Sequence, residues 1–497
     1  MKAGFDNGKY LRIQSEHIKE RIERFGGKLY LEFGGKLFDD YHASRVLPGF
    51  EPDSKIKMLM SLGSRAEAII AVNAGDIEKN KVRGDLGITY DMEVLRMIDS
   101  FRERGMHVSS VVMTQYASQP AAKAFKKRLN ALNVKVYKHY PIEGYPMNME
   151  RIVSDQGYGR NEYVETTRPL VVVTGPGPGS GKLATCLSQM YHDNKKGISA
   201  GYAKFETFPV WSLPLKHPIN AAYEAATVDL GDVNMIDPFH LEAYGKTSVN
   251  YNRDVEVFPV VNSMLEQILG TSPYRSPTDM GVNMVGFCIT DDKVVSRASR
   301  MEVIRRYYDV LEDNKKGLGS IETVMRFEIL MKNSGITVDE RKVVPAVRTK
   351  SETYKVPVSG VEMEDGRIMT GKTSVLLGAS SAVLLNTLKA FADIDDSVML
   401  MSPDIIGPIG KLKLNDLGFK NPELHVDEML IALSICAQSD PVAKKAIEQI
   451  PKLKGCEMHS SVILSPVDIS MLHRLGLNVT CEPKYQTDSL YHGQQKN

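Results

Sequence analysis

Cysteine is scarce in this chain and scattered where it occurs. Five residues, Cys186, Cys288, Cys436, Cys456 and Cys481, lie far apart, are odd in number and form no C-x-x-C pair. That spacing argues against a disulfide framework and a thiolate zinc site, and reads as reduced, buried thiols of a cytoplasmic protein. Charge of one sign is also missing, since 62 Lys and Arg face 61 Asp and Glu. With no basic field and no aromatic-and-basic stripe, nucleic acid is not the expected partner. No apolar run approaches the roughly 18 residues that span a bilayer, so no membrane partner is expected. The segment Met1–Lys9 lacks the apolar core of a signal peptide.

What remains is a globular composition, 42% hydrophobic and 25% charged over 497 residues. That length predicts about three domains. Self-association into a homo-oligomer is compatible with it.

One stretch announces a chemistry. Leu170–Thr174 is a β-branched apolar run of the kind buried in parallel sheets. Gly175, Gly177, Gly179, Ser180 and Gly181 follow as a glycine-rich turn, and Lys182 opens a helix. Free N–H groups and the helix dipole favour an anion there. The P-loop pattern G-x-x-x-x-G-K-[ST] is only approached, because Pro176 takes the first glycine position and Leu183 replaces the magnesium-holding hydroxyl. Thr185 stands one helical step later as a substitute oxygen. The segment is expected to hold ATP or another phosphate ligand, with magnesium.

A second stretch, Gly366–Thr373, fits the P-loop pattern letter for letter. Its surroundings do not: Asp365-Gly366 between two short apolar runs predicts a β-hairpin, not a strand, loop and helix. Ser380 and Ser381, opening the next helix, read as N-caps.

The first half alternates strands at Lys28–Phe33, Ala68–Val72, Val108–Met113, Val134–Tyr137 and Leu170–Thr174 with helices at Pro52–Leu62, Asp91–Arg104 and Gln119–Leu132. This predicts a mostly parallel, doubly wound α/β sheet, whose ligands bind beyond the carboxyl ends of the strands. Two strand-end loops, Glu32–Lys36 and Lys81–Asp85, fall under that rule. Helices are expected at Arg253–Gly270, Lys293–Asn314 and Ser320–Asn333, and α/β alternation resumes near 338. Further strands are expected at Val398–Met401, Ser460–Leu464 and Leu477–Thr480. Between them a helical stretch runs from Val426 to Gly455, interrupted at Pro441, and Gln486–Asn497 reads as a polar tail. The expected domains are an α/β P-loop-like domain at 1–252, a helical subdomain at 253–337 and a C-terminal α/β domain at 338–497.

Candidate catalytic residues follow from charge. Lys204 and Glu206 lie two apart on a strand, and Lys216 and His217 precede a proline and a helix. Arg253 and Arg275 stand in loops rich in ligand-orienting groups, and a guanidinium binds phosphate bidentately. Lys204, Lys216 and Arg275 are the cations expected to offset transition-state charge. Asp237, after the apolar strand Val233–Ile236, is the expected magnesium ligand. His240 and Glu242 beside it offer an alternative metal set, without a second histidine at ligand spacing.

Together Leu31–Asp40, Gly175–Ser188, Asn234–Tyr244 and Ser276–Asn283 resemble a family of bacterial proteins of about this length, registered by number as of unknown function. The resemblance implies a multidomain α/β protein with a helical part and a separate C-terminal α/β domain, and no established activity. Some members carry the label ATP-dependent zinc protease. Residues 175–185 stand behind the ATP half. The zinc half has no H-E-x-x-H, and His217, His240, His425 and His459 show no comparable pairing. The leading expectation is a cytosolic protein that binds a nucleotide or phosphorylated small molecule at 175–185 as an ATP-dependent phosphotransferase or ligase. Two alternatives stand beside it: a non-catalytic phosphometabolite-binding or regulatory protein, and a metal-dependent hydrolase around Asp237, His240 and Glu242.

Overall fold

The computed structural model describes residues 3–83 and 86–487. Gly84 and Asp85 of the second strand-end loop, and the polar tail from 488 onward, lie outside them. Internal contacts divide the chain into two units, Lys2–Ser299 and Arg300–Asn497. The expected helical stretch is helical, at Asn252–Leu269, Asp292–Lys316 and Ile321–Ser334. The division falls inside the second of these helices. No helix among the described residues is long and apolar enough to cross a membrane.

The first unit is built on a seven-stranded sheet. Its strands are β1 (Leu29–Phe33), β2 (Ala66–Asn73), β3 (His107–Thr114), β4 (Val136–Lys138), β5 (Leu170–Thr174), β6 (Gly201–Phe205) and β7 (Gly281–Val282). They lie in the order β7-β6-β1-β5-β2-β3-β4, every neighbouring pair parallel. The central strands are mostly apolar on both faces. β5 is buried at every residue, as parallel strands sandwiched by helices must be. Glu67, buried within β2, accepts the backbone N–H groups of Thr167 (2.6 Å) and Arg168 (2.7 Å) and so fixes the turn that feeds β5.

Helices α1 (Asn7–Arg24), α2 (Tyr90–Glu103), α3 (Pro120–Ala131) and α4 (Lys182–Lys195) belong to this unit. The apolar pattern does not announce α1, because polar residues fill part of its inner face. Gln14 is fully buried there, donating Nε2 to the Val282 carbonyl (2.8 Å) and accepting the Met284 N–H (2.9 Å). Through those two bonds α1 carries the two-residue strand β7, which is too short to leave a sequence signal.

Connection order matters for the site. The segment after β5 crosses to β6 on one side of the sheet, whereas the segment after β2 leads to β3 on the other. A crevice therefore opens between the carboxyl ends of β5 and β2, the switch point where doubly wound sheets take their ligands.

The second unit holds β8 (Val358–Glu362), β9 (Ile368–Lys372), β10 (Glu457–Ser460) and β11 (Asn478–Cys481), in the order β9-β8-β10-β11. β8 and β9 form the expected hairpin, turning at Gly366 with φ +84°. The P-loop letters at 366–373 thus lie on a hairpin. No strand forms at Val398–Met401, where Leu400 and Met401 instead enter the core from a loop. Ser380 and Ser381 do not cap helix α5 (Ala379–Phe391): Gly378 is its N-cap residue, and Ser381 donates to the Leu424 carbonyl (2.8 Å).

A buried polar network joins β10 and β11. Arg341, fully buried, donates to Glu457 (3.0 Å) and to the Met458 (2.8 Å) and Asn478 (2.7 Å) carbonyls, and also to the Thr480 hydroxyl. His459 is fully buried between Thr480 (Nδ1, 2.8 Å) and Glu482 (Nε2, 3.2 Å). Burial pushes its pKa down to about 4, against the pull of Glu482 and with Arg341 and Arg348 adding to the depression. The folded value lies below the unfolded value of about 6.5, so the unfolded chain takes the proton first as pH falls. Stability is full above pH 6.5 and is lost as pH falls toward 4, by on the order of 3 kcal/mol from this group. Melting temperatures taken across that window will fall more steeply in the native protein than in His459→Gln; parallel profiles would refute the assignment.

Candidate functional site

The glycine-rich loop ends where α4 begins. Gly181 is the N-cap residue, left-handed at φ +85°, and no side chain caps the helix. A Cβ at Gly181 would lie 2.7 Å from the Thr114 methyl carbon, so glycine is required both by backbone conformation and by space. Thr114, at the end of β3, donates its hydroxyl to the Ser180 carbonyl (2.8 Å) and ties the loop to the sheet. The first N–H groups of a helix have no intrahelical partner. Here they belong to Lys182, Leu183 and Ala184, which line a cavity of about 470 Å³.

That cavity is bounded by the carboxyl ends of five strands. Glu32 comes from β1, Asn73 from β2, Thr114 from β3, His139 from just beyond β4, and Gly179–Ala184 from the segment after β5. Tyr140, Ile142 and Tyr145 form a more apolar wall. Asn73 donates to the Gly179 carbonyl (3.4 Å) and also caps the helix after β2 through the Gly75 N–H (2.8 Å).

Lys182 is the decisive charge. Its Nζ reaches only the Gly177 carbonyl, at 3.4 Å, and no carboxylate among the described residues pairs with it. Burial lowers its pKa; Glu32 opposes that shift, and the charges of Lys204 and Arg253 deepen it. A partly buried ammonium without a counter-ion, beside an uncapped helix start, is an arrangement that an anion stabilises.

The remaining loop residues divide between lining and scaffolding. Gly179, Ser180 and Gly181 line the cavity. Gly175 and Gly177 serve packing: a Cβ would lie 2.4 Å from the Ala71 carbonyl oxygen in the first case and 2.3 Å from Tyr90 Oη in the second. The Ser180 hydroxyl is spent inside the loop, donating to the Gly177 carbonyl (2.6 Å). Thr185 is fully buried and donates to the Gly181 carbonyl (2.8 Å). It therefore bonds the helix backbone instead of replacing the missing P-loop hydroxyl.

Of the three candidate catalytic cations, Lys204 is the one the sheet brings toward the loop. In register it lies beside Glu32 across β6 and β1. Its ammonium donates to Asp254 and Tyr251 and pairs with Glu206 at 2.9 Å. Burial disfavours the charge, but Asp254 and Glu206 outweigh it and hold its pKa well above the ordinary value. Glu206 is pushed up by burial, with Asp254 adding to the rise and Lys204 opposing it. Lys216 is exposed in the turn before the helix Pro218–Ala226, and Arg275 is exposed with its guanidinium 5.1 Å from the Tyr244 ring centroid. Neither lines the cavity. Arg253 is paired with Asp232 at 2.7 Å.

Asp237 caps a helix. It is the N-cap of the helix Pro238–Tyr244, accepting the His240 N–H (3.0 Å), the Thr278 N–H (3.2 Å) and the Thr278 hydroxyl (2.7 Å). Those three donors occupy both oxygens of a fully buried carboxylate. His240 Nδ1 turns to Ser276 (3.0 Å), and Glu242 is exposed. Among the described residues no group of three or more His, Cys, Asp or Glu is arranged to hold a metal ion. The acidic side chain that does line the cavity is Glu32, which accepts a hydrogen bond from Tyr202 Oη at 2.7 Å.

Trp211, the chain's single tryptophan, packs outside the cavity wall and donates Nε1 to the Asn283 carbonyl (2.7 Å).

Two family profiles cover this chain almost end to end. The N-terminal domain of unknown function DUF1846 matches residues 3–335, and its C-terminal counterpart matches 339–491. The chain belongs to the DUF1846 family. It is 56% identical over 490 residues, 99% of each chain, to the UPF0371 protein of Streptococcus pneumoniae strain JJA. The UPF0371 protein of strain CGSP14 stands at the same identity and coverage. These DUF1846 relatives are uncharacterised bacterial proteins, so the geometry carries the functional argument.

Proposed function

We propose that this is a cytoplasmic protein that binds a phosphorylated small molecule, a nucleotide or another phosphate ester, in the cavity at the carboxyl edge of the parallel sheet. The observation that carries the reading is Lys182: an ammonium without a counter-ion at the uncapped start of α4, opening on a cavity at the switch point. The phosphate would take the N–H groups of residues 182–184, and the lysine would neutralise it. A cavity of about 470 Å³ suits a ligand larger than a free anion.

Catalysis by ATP-dependent phosphoryl transfer is the more demanding version. Lys204, whose charge acts on Lys182, and Glu32 in the cavity wall favour it. The commitment of Thr185 and Asp237 to backbone and capping bonds favours binding without turnover. Consumption of ATP alongside binding would decide for transfer.

Inorganic phosphate, ATP with and without magnesium, and sugar phosphates are the probes. At least one will raise the melting temperature of the native protein, and Lys182→Ala will weaken that ligand tenfold to a hundredfold, the loss of a charged hydrogen bond. Flat melting curves with every probe would end the proposal.

A further inference from the structure

The lining of the same cavity includes a second polar group with unmet bonding capacity. His139 follows β4 directly and lines the cavity while being 3% exposed. Its backbone is fixed on both sides, N–H to the Met113 carbonyl and carbonyl from the Tyr116 N–H, both at 2.9 Å. The ring is fixed as well, because Nε2 sits 3.3 Å from the Glu162 carbonyl oxygen. A carbonyl only accepts, so Nε2 carries the proton and the neutral ring presents Nδ1 as a bare lone pair. Burial pushes the His139 pKa down to about 3, which keeps the ring neutral at physiological pH. Nδ1 is buried and has no hydrogen-bond partner among the described residues.

A buried acceptor without a donor is costly, and such groups are ordinarily satisfied. The Asn161 side chain, which lines the same cavity, is already engaged. Asn161 gives its amide to Ser188 (3.0 Å) and its carbonyl oxygen to the Tyr140 N–H (2.8 Å). The residues that line the cavity therefore include one with an unmet acceptor, His139, and one with an ammonium beside free helix N–H groups, Lys182. Tyr140 and Tyr145, in the same lining, offer ring surface to carbon atoms.

We infer that the ligand is a phosphate ester whose organic part carries hydroxyl groups, one of which donates to His139 Nδ1 while the phosphate sits at Lys182. This rests on the phosphate-binding reading and narrows it. A free sugar phosphate and the ribose phosphate of a nucleotide share this chemistry.

Calorimetry on the full-length protein tests it with inorganic phosphate, n-pentyl phosphate, ribose 5-phosphate and AMP. Ribose 5-phosphate, AMP or both will bind at least tenfold tighter than n-pentyl phosphate, which has a phosphate and a carbon chain but no hydroxyl. Preference for AMP alone assigns the hydroxyls to a nucleotide, and preference for ribose 5-phosphate assigns them to a free sugar phosphate. His139→Phe, which keeps a ring and removes the acceptor, will erase that preference. The comparison of ligands on the native protein stands even where the variant folds poorly. Equal affinity for pentyl and polyol phosphates overturns the inference and leaves phosphate binding intact. Absence of binding by every probe, inorganic phosphate included, overturns both.

Discussion

Arg341→Met will lower the stability of the unit formed by residues 300–487 by about 3–5 kcal/mol, the range seen when one partner of a buried ion pair is removed. Arg341 is fully buried, and its guanidinium spans the join between β10 and β11. Methionine fills much of the same space but donates nothing. The Met458 and Asn478 carbonyls then lose a donor, and Glu457 keeps the Arg305 guanidinium at 2.8 Å and the Asn478 side-chain amide at 3.0 Å. Burial already works against the Arg341 charge, with Glu457 the main group opposing it. The carboxylate left behind is therefore what makes the change expensive. Adding Glu457→Gln to Arg341→Met should recover part of the loss, because it removes a buried carboxylate that has lost one of its two guanidinium partners. Urea midpoints of the two variants and the double variant give the comparison. A loss below 1 kcal/mol for Arg341→Met would show that the network contributes nothing net.

Gly371→Ala is the second large effect. Gly371 is the second glycine of the sequence that fits the P-loop pattern completely, and it lies on β9, packed against α5. A Cβ there would fall 2.2 Å from the Val383 nitrogen and 2.6 Å from the Ala382 carbonyl carbon. Both are helix backbone atoms and cannot swing aside. Strand and helix must separate, at a cost of about 1–3 kcal/mol or more for overpacking. Phosphate binding at Lys182 will be unchanged in the same variant. A drop in phosphate affinity at native stability would mean that 366–373 is a ligand loop after all.

The contrast between the two glycine motifs explains how much was legible. The strand, turn and helix at 170–195 lie within one continuous segment, so their order could be read directly. Strand–helix alternation in the first half was equally local, and the predicted strands fall on β1 to β5 with shifts at their ends. The walls of the cavity were not local. Asn73, Thr114 and His139 come from the ends of three successive strands, and they meet the glycine-rich loop only because β5 inserts between β1 and β2. A lone histidine after a short strand carries no pattern, although the strand-end rule would have flagged residues 138–145 once β4 was placed. The structure also reassigned residues whose type suited two jobs. An aspartate before Pro238 suits a helix cap as well as a metal, and a threonine in a helix suits a backbone bond as well as a phosphate. Only the partners distinguish them: Asp237 accepts from His240 and Thr278, and Thr185 donates to the Gly181 carbonyl.

Trp211 has a practical consequence. As the chain's single tryptophan it lies in the unit of residues 2–299, bonded to the Asn283 carbonyl within that same unit. Indole emission will therefore follow the unfolding of that unit and remain blind to the other, whereas far-ultraviolet circular dichroism sums the helices of both. Overlaid denaturation traces from the two signals will coincide if the chain unfolds as one cooperative block and part if it does not. The amino-acid composition has thus supplied a built-in optical label for one half of the molecule.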